Sequence, residues 1–142
     1  MHIVLDIDGT LIDQKTQVFR PYIEEFLDYC FTKFETVNIW TAASYGWYTE
    51  VLSKLKPILR GRTFSKVYYN EQCTLRHVYH EGTMAWCKIK VLKKMCKGAM
   101  TLDNTVIVDD TPLTFCRNYG NAVYIMTYNS ESNRIRNLSV SQ

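Results

Sequence analysis

The sequence predicts an α/β fold built on a central parallel sheet. Three observations carry this. Short apolar runs such as Ile3 to Leu5 read as strands covered on both faces. Segments with helical spacing of apolar residues alternate with those runs, which argues for parallel strands joined by crossovers. Two of the runs end in aspartate pairs, Asp6 with Asp8 and Asp109 with Asp110, at the strand ends where open α/β sheets bind ligands.

The elements follow in order. Ile3 to Leu5 is the first strand, and Asp13 to Gln17 is a polar connection. Pro21 opens a helix at the first-turn position that proline tolerates. Its inward face carries Ile23, Phe26, Leu27, Cys30, Phe31 and Phe34. Thr36 to Trp40 is the second strand. Tyr48, Val51, Leu52 and Leu55 define a second amphipathic helix, which Pro57 is expected to end. Residues 58–87 read as an inserted loop or hairpin region, with a possible strand in TFSKVYYN and a turn at Gly82. A third helix is expected from Ala85 to Lys97, with Val91, Leu92, Met95 and Cys96 inward and Gly98 as its cap. Thr105 to Val108 and Ala122 to Met126 are the remaining strands. Residues 1–128 are expected to form one domain, with 129–142 as a Ser- and Asn-rich, frayed tail.

Composition narrows the functional classes. The chain has 142 residues, 46% of them apolar and 22% charged, which is ordinary for a soluble globular protein. No run approaches the roughly 18 uncharged apolar residues of a membrane span. No basic segment leads into an apolar signal core, so an intracellular, reducing compartment is expected; nucleus and cytoplasm are not distinguished. The five cysteines form no Cys-x-x-Cys pair, which argues against a zinc site or a disulfide framework. Cys30, Cys96 and Cys116 read as small buried hydrophobes. A net charge of +3 suits an anionic substrate but is too small to indicate nucleic acid as a partner.

The strand ends place up to four carboxylates and the Thr41 hydroxyl on one rim. Clustered carboxylates repel, and burying them without a cation costs several kcal/mol or forces protonation. A divalent cation resolves this, and an all-oxygen ligand set favours Mg²⁺.

These residues carry a resemblance. Asp6-Ile7-Asp8-Gly9-Thr10 resembles the Asp-x-Asp-x-Thr motif of the haloacid dehalogenase (HAD) superfamily. Within it, VNIWTAASYGWYTEVLSKL, VIVDDTPLTFCRNYGNAVYI and FRPYIEEFL resemble segments of the FCP/SCP family, the phosphatases of the RNA polymerase II C-terminal domain, also described as NLI-interacting-factor-like. The resemblance implies a three-layer, Rossmann-like HAD fold with a minimal cap. It implies Asp6 as the nucleophile that forms an aspartyl-phosphate, and Asp8 as general acid and then base. It implies Mg²⁺ held by Asp6, the Asp8 backbone carbonyl and Asp110. Thr41 would bind phosphoryl oxygens. CKIKVLKKM offers Lys88 and Lys90 for the family's lysine, and the match to Lys-Asp-Leu-x-x-Leu favours Lys90; Lys93, Lys94 and Lys97 then read as a solvated face. Asp109 would orient the lysine or a metal-bound water. Thr10 and Asn118 would support the loops, and Asn121 reads as a turn residue after Gly120.

Two departures from the family stand out. Only Ile12 to Arg20 bridges the first motif and the Arg-Pro helix, where the family carries a longer insertion. The apolar surface so left would be covered by a second copy, which makes a homodimer an expectation. The segment Arg60 to Trp86 occupies the place of a small inserted sheet that helps select a peptide. Its aromatics (Phe64, Tyr68, Tyr69, Tyr79, Trp86) and cations (Arg60, Arg62, Lys66, Arg76) read equally as a phosphopeptide wall or as core and surface.

The leading expectation is a Mg²⁺-dependent phosphatase acting on phosphoserine or phosphothreonine in a phosphoprotein or phosphopeptide. The alternatives are a phosphatase for nucleic-acid ends or small phosphometabolites, and an inactive binding module with the same fold.

Overall fold

The computed structural model describes residues 1–111 and 120–131. Among the described residues, seven strands and two α-helices run in the order β1 (His2–Leu5), α1 (Ile23–Lys33), β2 (Thr36–Trp40), α2 (Tyr45–Leu59), β3 (Val67–Tyr68), β4 (Thr74–His80), β5 (Thr83–Ile89), β6 (Thr105–Asp109) and β7 (Ala122–Tyr124). Five of them form one sheet in the order β3-β2-β1-β6-β7, all pairs parallel. Strands β4 and β5 form a separate antiparallel hairpin.

Side chains alternate across a strand, so a central strand must be apolar on both faces. In β1, Ile3 and Leu5 join one apolar layer and Val4 the other. The first layer is covered by both helices, through Ile23, Leu27 and Cys30 of α1 and Tyr48, Val51, Leu55 and Leu59 of α2. The second takes Trp40 and Ile107 from the sheet and is covered by Leu92, Met95 and Met100. Asn38 faces the second layer fully buried. It donates to the Ile3 carbonyl at 3.0 Å and accepts from the Lys66 N–H at 3.0 Å, so its amide is satisfied.

Register fixes the site. Leu5 pairs with Ile39 on one side and Val108 on the other. The three strands therefore end together, and Asp6 continues beside β6 by donating its N–H to the Val108 carbonyl at 3.0 Å.

The structure corrects three expectations. The helix expected from Ala85 to Lys97 does not form. Thr83–Ile89 is strand β5, and only Leu92–Lys94 makes a 3₁₀ turn. The β-favouring residues Thr83, Trp86, Cys87 and Ile89 find a seven-residue partner in β4, and that pairing outweighs a helical pattern confined to Val91–Cys96. Lys66 holds the turn by donating to the Met95 and Lys97 carbonyls, at 2.9 and 3.0 Å. Pro57 does not end α2, which runs two residues further to Leu59. The N–H that proline lacks would have met the Ser53 carbonyl, and both residues lie on the exposed face, where that carbonyl is open to solvent. Pro21 sits one residue before the N-cap, because Tyr22 takes a left-handed conformation (φ 64°) and the helix begins at Ile23.

Of the loop or hairpin expected over 58–87, a hairpin forms from β4 and β5, turning at Glu81 and Gly82 and running on to Ile89; TFSKVYYN contributes only the two-residue strand β3. Its aromatics divide. Phe64 is core, while Tyr79 and Trp86 are more than half exposed on the hairpin. Cys30 is buried and its thiol is pushed up to about 11 by that burial; Cys96 is half-buried, and Cys116 lies outside the described residues, as does the tail beyond residue 131. No helix among the described residues is long and apolar enough to cross a membrane.

Candidate active site

The site is built on the loop that leaves β1. A peptide turning sharply out of a central strand needs a left-handed residue, and Gly9 supplies it with φ +75°. The N–H groups of Thr10, Leu11 and Ile12 then fold back on the Ile7 carbonyl, and Leu11 and Ile12 anchor the loop in the core. Arg20 braces the loop from outside. Its guanidinium donates to the carbonyls of Thr10 (2.7 Å), Gly9 (2.9 Å) and Met126 (2.7 Å). The arginine of the Arg-Pro pair thus ties the first motif to the segment after β7.

Four charged groups meet at the strand ends. Lys90, 1% exposed, donates to Asp6 Oδ1 at 2.7 Å and to Asp109 Oδ2 at 2.6 Å. Thr10 Oγ1 donates to Asp6 Oδ2 at 3.0 Å. Asp109 Oδ1 accepts from the Thr111 N–H at 3.0 Å, and Asp110 Oδ2 accepts from Thr127 Oγ1 at 2.8 Å. Lys90 reaches the cluster from just beyond β5 rather than from a helix start. Lys88 does not reach it; its exposed ammonium faces the Ala42 carbonyl at 3.4 Å.

Burial dominates the electrostatics. It raises the Asp6 carboxyl well above the ordinary carboxylate range; Lys90 draws it down and Asp109 pushes it up again. Burial pulls the Lys90 ammonium down, yet Asp6 and Asp109 together outweigh that and leave it raised. Asp8 is raised by burial, with the Trp47 N–H acting against the shift and Asp110 reinforcing it.

Asp6, Asp109 and Asp110 each offer a carboxylate oxygen, and the three atoms lie within 4.8 Å of one another. An all-oxygen donor set carrying more negative charge than Lys90 can balance fits a hard divalent cation. Each of the three carboxylates has both oxygens hydrogen-bonded to neighbours, so the cluster as a whole, and no one free oxygen, marks where a cation would be held.

The other expected residues are placed as follows. Asp8 stands at the mouth of the site, half-buried, with Oδ1 accepting from Trp47 Nε1 at 2.7 Å. Thr41 is buried on the same rim, and its hydroxyl accepts from the Ala43 N–H at 3.0 Å. Asn121 lies away from the site and braces the opposite end of β6, donating to the Leu102 and Thr105 carbonyls. Asn118 lies outside the described residues. Trp47 and Thr127 escaped the sequence reading. Trp47 looks like one more aromatic of an amphipathic helix, and Thr127 carries no motif; only proximity reveals either.

Comparison with known proteins identifies the family. Residues 1–140 match the family model of the NLI interacting factor-like phosphatases. The chain belongs to that family. Among the relatives of this NLI interacting factor-like chain, CTD phosphatase-like protein 355R of invertebrate iridescent virus 6 is 33% identical over 95 residues, 64% of this chain and 50% of that one. Ubiquitin-like domain-containing CTD phosphatase 1 of Drosophila melanogaster is 28% identical over 124 residues, 82% of this chain and 38% of its own. A solved structure of the fission yeast RNA polymerase II CTD phosphatase Fcp1, an arginine-to-alanine variant bound to beryllium fluoride, superposes with a TM-score of 0.59. It is 17% identical, over 91% of this chain and 42% of that one, and establishes the shared fold. The chain thus spans half or less of the length of these relatives.

Proposed function

We propose that this domain hydrolyses phosphomonoesters of serine or threonine in a protein or peptide, through an aspartyl-phosphate on Asp6 and with Mg²⁺ as cofactor. The observation that carries the reading is the buried lysine. Lys90 sits between Asp6 and Asp109 with both contacts under 3 Å, so its charge is fixed where a phosphoryl group would meet the nucleophile. The phosphatase family and relatives named as CTD phosphatases support a phosphoprotein as the substrate class.

The chemistry divides among named residues. Asp6 Oδ attacks phosphorus while the ester P–O bond breaks, and Asp8 delivers a proton to the departing oxygen. Asp8, now a carboxylate, then takes a proton from the water that cleaves the acyl phosphate. Thr10 and Lys90 hold the Asp6 carboxylate, and Thr41 on the same rim would meet the phosphoryl oxygens. Asp6, Asp110 and the Asp8 backbone carbonyl would hold Mg²⁺, which would supply the positive charge that Lys90 alone does not provide.

The test is hydrolysis of an aryl phosphate by the wild type and by Asp6→Asn, each with Mg²⁺ and with a chelator. Turnover by the wild type with Mg²⁺ alone is the expected result. Equal activity in Asp6→Asn would remove Asp6 as the nucleophile.

A further inference from the structure

Asp8 differs from the other carboxylates of the site in how it is held. Asp6, Asp109 and Asp110 are each gripped by two or more side-chain or backbone donors. Among the described residues, Asp8 receives one, the indole N–H of Trp47. Asp8 also precedes Gly9, the turning point of the loop, and among the described residues no backbone N–H donates to its carboxyl group.

Trp47 is well built to do so. Its backbone N–H donates to the Ser44 N-cap at 3.1 Å, which sets the first turn of α2. Its ring packs against the apolar layer containing Leu11 and Val51, so the indole has little freedom. The N–H is the single polar atom of the side chain, and it points at Asp8 Oδ1. Oδ2 is left for other work.

We propose that Trp47 is a positioning residue for proton transfer: its indole N–H fixes the carboxyl group of Asp8 so that the second oxygen faces the leaving group. This rests on the phosphatase reading above. As the Asp6–phosphorus bond forms, the electron pair of the breaking P–O bond goes to the ester oxygen, which takes the proton from Asp8; Asp8 is left as a carboxylate with Oδ1 still on the indole. The need for that proton depends on the leaving group. A serine alkoxide requires it, whereas a nitro-substituted phenolate leaves without it.

The experiment compares wild type and Trp47→Phe on two esters, a phosphoserine peptide and 4-nitrophenyl phosphate. A misplaced acid lowers kcat/KM, which covers only the steps up to the acyl phosphate, by about tenfold to a hundredfold on the phosphoserine ester, up to the lower end of what general acid catalysis contributes. On the aryl ester kcat/KM falls several-fold less. Equal losses of kcat/KM on both esters would mean that Trp47 serves structure alone and would overturn the proposal. A second measurement needs no turnover. The indole N–H resonance of Trp47, identified by its disappearance in Trp47→Phe, is expected to move in Asp8→Ala, or in Asp8→Asn where the alanine variant is unstable. A resonance that stays in place overturns the contact, even with the phosphatase reading intact. A wild type that cleaves neither ester overturns the phosphatase reading and this proposal together.

Discussion

Gly9 and Asp110 are in such close contact that a Cβ built on the glycine would lie 2.1 Å from Asp110 Oδ2. Two strand ends, β1 and β6, are thereby packed so that the backbone of one loop touches the carboxylate of the other. Gly9→Ala meets both a positive φ and a clash that no flexible side chain can absorb, because Asp110 is held by Thr111 and Thr127. The variant is expected to lose about 2–4 kcal/mol of stability and at least tenfold in phosphatase activity. Urea unfolding and a steady-state assay check it.

Lys90 joins two buried carboxylates. Replacing it by Met keeps the unbranched stem and removes the charged end, leaving Asp6 and Asp109 facing each other without a cation. Removing one partner of a buried ion pair costs about 3–5 kcal/mol. Lys90→Met is expected to lose that much at neutral pH, to recover part of it as acid protonates a carboxylate, and to be inactive. Denaturation at two pH values, combined with an assay, would expose a smaller role.

Arg20 uses a planar fork to hold three carbonyls at once. Lysine carries the charge but cannot reproduce the fork. Arg20→Lys is therefore expected to destabilise by about 1–3 kcal/mol and to slow turnover through a loosened Asp6–Thr10 loop. A variant with wild-type melting temperature and rate would show that the brace is redundant.

Asp13 ties the first loop to the chain beyond β7. Its carboxylate accepts from the Ser130 N–H and hydroxyl, both at 2.9 Å, and from the Lys15 N–H. The Ser130 N–H is the largest cause holding the carboxyl down to about 2. The folded value lies below the unfolded value of about 4, so the stabilisation is present above pH ~4 and is lost as pH falls toward 2. Asp13→Asn keeps the shape and removes the charge. It is expected to lose about 1 kcal/mol at neutral pH, with a shallower fall of stability between pH 4 and 2, as read by urea titrations across that range.

Much of this molecule was legible in the sequence because parallel strands and strand-end carboxylates leave strong local marks. β2 occupies the expected residues Thr36–Trp40, β1 and β6 differ from expectation by one residue each, and α1 buries Ile23, Leu27 and Cys30 as their spacing requires. Asp6, Asp109 and Asp110 converge because each follows a run that could only be a buried strand. The segment from Ala85 to Lys97 misled for a physical reason: its helical spacing is read along one stretch of chain, whereas the strand it forms depends on pairing with β4, where Thr74 to Val78 meet Ala85 to Ile89.

The sequence by itself determined the elements from β1 to α2 and strand β6, the carboxylates at the sheet's rim and the two lysines competing for the site. The tertiary structure decided between those lysines, because only the end of β5 delivers a side chain under the rim, and Lys90 rather than Lys88 stands there. It also decided the partners of Asp8 and Asp110, Trp47 and Thr127, and the three carbonyls held by Arg20. A motif records which groups carry charge. Which neighbours orient those groups depends on contacts between segments far apart in the chain, and no local pattern encodes them.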